Sequence, residues 1–128
     1  MRLLIANIKW IMIVAGLITF SMIYAVVAPQ AALRLTFGAT LEGPLADVIV
    51  RNWGGYIALL GATLIYGAYN PPARRLVLTF ASVSKLIFIG CVVGFGSQYL
   101  GKASIAVVTD LVLVALFVTY LAGTRATR

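Results

Sequence analysis

Histidine is absent from this 128-residue chain, cysteine occurs once and acidic residues three times. These shortages remove whole classes of chemistry. The single thiol, Cys91, cannot close an intramolecular disulfide. No Cys/His set exists to hold zinc, and no histidine exists to hold haem. Histidine-based acid–base catalysis is excluded as well. Glu42, Asp47, Asp110, Lys85 and the tyrosines are what remains, and no nucleophile–base spacing stands out among them. No catalytic residue, metal or cofactor is therefore expected. Cys91 reads as a small packed or lipid-buried residue.

Charge is scarce too. Charged residues make up 10% of the chain, where a soluble domain carries about 25%. Hydrophobic residues make up 62%, and the mean hydropathy is +1.06. A chain this short cannot hide that much apolar surface in one water-soluble core, because small domains leave much of their surface exposed. Its solvent must be lipid, and its length suits one domain, residues 1–128. The net charge of +7 would raise nucleic-acid binding in a soluble protein. Here the basic residues sit mostly at the ends of apolar runs, with no basic stripe interleaved with aromatics. Membrane orientation accounts for them, and no nucleic-acid partner is expected.

A spanning helix needs about 20 mostly apolar residues. Four segments qualify, at about 8–28, 49–69, 76–97 and 103–122. The prolines of NPPARR (70–75) predict a tight turn, and SQYLGK (97–102) predicts a short polar one. Short connections make antiparallel neighbours, so the expected fold is an all-α, four-helix transmembrane bundle. The first span imitates a signal peptide, but its apolar run exceeds the usual 7–15 residues, so a retained helix is expected. With the N-terminus inside, Arg2, Lys9, Arg74, Arg75, Arg125 and Arg128 are cytoplasmic, and Arg34, Arg51 and Lys102 are outside with Glu42 and Asp47. The positive-inside rule then predicts that both termini are cytoplasmic. Trp10, Tyr66, Tyr69 and Tyr120 fall near the inner ends, and Tyr24, Trp53, Tyr56 and Tyr99 near the outer ends, as an aromatic belt requires.

Ionisable residues inside spans point to function by default. Lys85 lies near the middle of the third span beside Ser82 and Ser84, Asp110 in the fourth, and Arg51 at the outer end of the second. Lys85 sits about six residues deeper than Asp110, roughly 9 Å at the helical rise, and its stem can cover much of that. Asp110 can therefore pair with Lys85, with Arg51, or with both. One reading is structural: the charges fix which helices are neighbours. The other is a polar pocket opening outward, formed by Arg51, Lys85, Asp110, Ser82, Ser84, Trp53 and Tyr56 and closed by the outer loop, 29–48.

Small residues mark helix packing. Gly54, Ala58 and Ala62 recur every four residues with Gly55 and Gly61 beside them, and Gly90 and Gly94 repeat the spacing in the third span. Such rows let helix backbones approach closely, within one bundle or across a homodimer. In the outer loop, Leu33, Phe37 and Leu41 suit an amphipathic helix, and the alternation of Leu33, Leu35 and Phe37 suits a short strand. Asp47 stands four residues before Arg51, the spacing of a helical ion pair.

Three motifs also carry a resemblance. APQAALRLTFG (28–38) ends the first span, LEGPL (41–45) follows, and RNWGG (51–55) opens the second. In these and in its four spans the chain resembles the small membrane proteins of the DoxX-like group, in particular an uncharacterised bacterial family within it. The resemblance implies a four-helix bundle of the bacterial inner membrane, with Arg51, Gly54 and Gly55 at the shared motif and no catalytic set. Roles in that group include accessory subunits of membrane redox systems, assembly factors and cargo-type receptors. The expectation is a non-enzymatic bundle that binds a membrane-protein partner, a second copy, or a lipid or other hydrophobic ligand. The alternative is a small proton- or ion-coupled transporter using Asp110 and Lys85, against which stands the lack of a clear inverted repeat.

Overall fold

The computed structural model describes residues 2–125, so the expected cytoplasmic cation Arg128 lies outside the described residues. A short helix, α1 (Arg2–Ala6), leads into the first span, made of α2 (Ile8–Phe20), a 3₁₀ turn (Ser21–Ile23) and α3 (Tyr24–Val27). There follow α4 (Pro29–Phe37), α5 (Pro44–Tyr69), α6 (Pro71–Phe95), a second 3₁₀ turn (Ser97–Tyr99) and α7 (Leu100–Arg125). The described residues contain no strand. Among them, four helices are long and apolar enough to cross a membrane: Ile8–Val27, Pro44–Tyr69, Pro71–Phe95 and Ser97–Thr124. Large apolar side chains point away from the bundle all round it, Phe95 at 90% exposure and Leu76 at 75%. The chain is a multi-pass, all-helical membrane protein.

The second and third spans begin about five residues earlier than composition suggests. Pro44 and Pro71 are the cause. Each stands at the first helical position, where a missing N–H breaks no intrahelical bond and the fixed φ already suits the helix. NPPARR is therefore a helix start, and Asn70 alone joins α5 to α6. Two cations tie down this junction. Arg74 donates to the carbonyls of Gly67 (3.3 Å), which also accepts from Asn70 N–H, and Ala68 (2.8 Å) at the end of α5. Arg75 donates to Leu121 O (3.3 Å) and Thr124 Oγ1 (2.6 Å), binding the start of α6 to the far end of α7.

The outer connection is helical, as one of its two expected forms. Leu33 is buried and Phe37 half-buried, but Leu41 lies beyond the helix. Gly38 ends α4 in the left-handed region (φ 72°), its N–H bonded to Arg34 O at 3.0 Å. A residue with a Cβ is strained there, which is why glycine serves as this kind of helix stop.

Around the bundle, α2 packs on α5, α5 on α6, and α6 on α7, while α2 and α7 make little direct contact. The seam between the first span and α5 is the tightest. A methyl group on Gly54 would stand 2.5 Å from Ala25 Cβ and 2.8 Å from Met22 O. One on Gly61 would meet Phe20 N and stand 2.6 Å from Gly16 O, so only glycine allows the two backbones this close. The expected row needs two corrections. Ala62 is exposed, because steps of four drift round a helix of 3.6 residues per turn; the buried line runs Gly54, Ala58, Gly61, Leu64, Ala68. A methyl group built on Gly90 or Gly94 would meet nothing within 4 Å, so both lie exposed on the outward face of α6. Gly55 faces Val26 with room to spare, 3.7 Å from a built methyl. Cys91 is exposed on α6 rather than packed against another helix.

The half of the bundle holding α1 and the α5–α6 junction, the terminal half, is filled. Met12, Leu64, Leu78 and Phe117, one from each span, meet there fully buried. The other half, under α4, is built differently.

Candidate functional site: a cavity with a buried ion pair

A cavity of about 330 Å³ opens among the spans in the α4 half. All four spans and α4 contribute to its lining. Ile18, Thr19, Ser21 and Met22 come from the first span, Trp53, Ile57 and Leu60 from α5, and Ser84, Lys85 and Phe88 from α6. Lys102, Ile105, Ala106, Thr109 and Asp110 come from α7, with Leu35 and Thr36 from α4. The cavity follows from the packing. Glycines bring the first span close against α5, the first span and α7 make little contact, and the cavity lies between these two.

At the deep end, Lys85 Nζ lies 2.9 Å from Asp110 Oδ1, the only salt bridge among the described residues. Lys85 also donates to Thr19 Oγ1 at 3.2 Å. The lysine side chain is 7% exposed and the aspartate 19%. The lysine stem thus spans the difference in depth that the sequence implies, and three of the four spans meet at one ammonium group. A charge in apolar surroundings is tolerable only when paired and hydrogen-bonded, and both conditions hold here. Asp110 Oδ2 and the Ser84 hydroxyl form no hydrogen bond with any described residue, and both residues line the cavity. Ser82, one turn before Lys85, is buried with its Oγ unpartnered and does not line the cavity.

Above the cavity, α4 presents Phe37. Its ring sits 5.9 Å from that of Trp53, 6.0 Å from Tyr99 and 6.4 Å from Phe88, linking α4 to α5, α6 and the turn before α7. Gln30 fastens the start of α4 by donating to Leu41 O and to Asp47 Oδ1 (3.1 Å).

The residues expected to form the pocket are thus divided. Lys85, Asp110, Ser84 and Trp53 line one cavity, and Ser82 lies beside it. Arg51 and Tyr56 do not belong to it: both are exposed. Arg51 Nη1 donates to Val26 O, one of the carbonyls left open where α3 ends, so it joins neither Asp110 nor Asp47. A cation at a helix C-terminus is favourable through both the hydrogen bond and the helix dipole. Thr19, Ile57, Met22 and Phe37 escaped the sequence reading. Thr19 carried a faint mark, since it falls on the same face as Ala15 and Gly16, the small residues of the tight seam. The spacing of Phe37 suits an amphipathic helix or a short strand, and nothing in it says that this segment folds back over the bundle.

Among the described residues, no three of Cys, Asp and Glu gather where a metal ion would need them. Comparison of the chain with family models, curated proteins and solved structures finds no match.

Proposed function

We propose that this chain is a membrane-embedded binding protein for a hydrophobic or amphipathic ligand, held in the cavity between the first span and α7. The observation that carries this reading is the pairing of an unfilled cavity of about 330 Å³ with a buried ion pair at its deep end. Protein interiors are close-packed, and membrane helices associate largely through packing, so a mainly apolar cavity of this size forgoes packing that a ligand would restore. Binding pockets combine apolar walls with a few placed polar groups, which is the composition found here. The likeness of APQAALRLTFG, LEGPL and RNWGG to the DoxX-like group fits a non-enzymatic role of this kind, as accessory subunit or carrier.

The test is to purify the full chain, extract what accompanies it and identify it by mass spectrometry, beside Ala106→Phe. Ala106 is a half-buried lining residue, so the larger ring fills the cavity from inside. The wild-type chain is expected to carry a stoichiometric small amphiphile and the filled variant to lose it. Equal recovery from both would sink the proposal.

In the bilayer we place the termini in the cytoplasm and the cavity near the outer face. Arg2, Lys9, Arg74, Arg75, Arg125 and Arg128 outnumber Arg34, Arg51 and Lys102, which supports this orientation. In a Cys91→Ser background, a cysteine at Ala39 should react with an impermeant thiol reagent in intact cells and one at Asn70 should not. The reverse pattern would invert the topology.

A further inference from the structure

We infer that the cavity takes an uncharged, hydroxyl-bearing amphiphile such as a long-chain alcohol, with its hydroxyl seated on the Lys85–Asp110 pair. The inference rests on the reading of the cavity as a ligand site and specifies the head group that site accepts.

The argument starts from unused valences. An ammonium group has three N–H donors. Lys85 spends two, on Asp110 Oδ1 and Thr19 Oγ1, and keeps one. Asp110 Oδ2 keeps its acceptor positions, and the carboxylate retains exposure toward the cavity it lines. A free donor and a free acceptor therefore stand side by side at the deep end. A hydroxyl oxygen is both acceptor and donor, so one ligand atom satisfies both groups.

Charge decides between head groups. Lys85 and Asp110 together are neutral, and the walls above them, including Ile18, Met22, Ile57 and Ile105, are apolar. A carboxylate or an ammonium added at that depth would bring a net charge into an apolar surrounding with its natural partner already taken. The next cation on the lining, Lys102, stands eight residues along α7, roughly 12 Å away by helical rise, too far to compensate it. An alcohol brings no net charge.

The route in is lateral. Ile18 and Ser21 on one side and Ile105 and Lys102 on the other are exposed along the edges of the first span and α7, which make little contact. From the α4 side, Phe37 and its three ring partners stand in the way. A chain dissolved in the bilayer can thus reach the cavity without passing through water.

Trp53 lines the cavity, and the only other tryptophan is Trp10, in the opposite half. Trp10→Phe therefore leaves one indole as reporter. We would titrate this variant in lipid nanodiscs at neutral pH with a brominated fatty alcohol, fatty acid and fatty amine of one chain length, reading contact quenching of Trp53. The alcohol is expected to bind roughly tenfold more tightly than either charged chain, the value of about one hydrogen bond to a charged group. Adding Lys85→Met and Asp110→Leu together removes both charges without stranding either, and should abolish the preference while quenching persists. A wild-type site that favours the acid or the amine would overturn the hydroxyl assignment and leave the cavity a ligand site. Absence of saturable quenching by all three would overturn both.

Discussion

In the terminal half, Met12, Leu64, Leu78 and Phe117 reach in from the four spans and leave no surface exposed. In the α4 half the same four helices surround a cavity of about 330 Å³ and a lysine–aspartate pair. Both halves are apolar on the outside and both use the same helices, so neither composition nor length separates them. The difference lies in what stands at the inward positions. Near the termini Met12, Leu64, Leu78 and Phe117 interdigitate over small neighbours such as Ala15, Ala68 and Ala81. Near α4 the first span and α5 meet through Gly54, Ala25 and Ala58, with Val50 buried beside them, and the cavity lies on the side toward α7. One half is filled by its own side chains, and the other leaves a cavity among the spans.

The largest effect that sharpens this contrast comes from the ion pair. Asp110→Leu alone leaves Lys85 buried with Thr19 as its only partner and should cost about 3–5 kcal/mol, whereas Lys85→Met with Asp110→Leu should recover most of it. Unfolding by denaturing detergent in mixed micelles, followed by circular dichroism, measures both. A double variant as unstable as the single one would mean that the pair holds the bundle together.

Next come the aromatics. Phe117→Ala should cost about 3–5 kcal/mol, because it opens a hole in a filled core. Phe88→Ala should cost about half of that, because its ring already borders a cavity and only that cavity grows. Equal losses in the same unfolding assay would break the comparison between the two halves.

The smallest effects come from two glycines. At Gly61 a methyl group meets the backbone of the first span, and Gly61→Ala should destabilise by about 1–3 kcal/mol through forced separation of α2 and α5. At Gly90 nothing is in the way, and Gly90→Ala should stabilise by about 0.5–1 kcal/mol through helix propensity. A loss of stability at Gly90 would reveal a neighbour packed on the outward face of α6.

The sequence by itself determined the solvent, the number of spans, their approximate ends, and which spans carry polar groups at what depth. Those properties depend on residue type and on distance along one helix, and both are written in the order of residues. It also brought Lys85, Asp110, Ser84 and Trp53 to notice together, and these four line one cavity. It did not determine rotation about the helix axis. A four-residue step drifts round the helix, so Ala62 turned outward although Gly54 and Ala58 turned in. Gly90 and Gly94 carried the same spacing as the packed glycines and faced away from the bundle. Nor did it decide among partners at equal depth. Arg51 had Asp110 and Asp47 within reach, and the close seam at Gly54 brought it the open carbonyl of Val26 instead. The tertiary structure alone decided these things, because the direction of a side chain around its helix and the gap between two spans that scarcely touch are set by how all four helices pack at once.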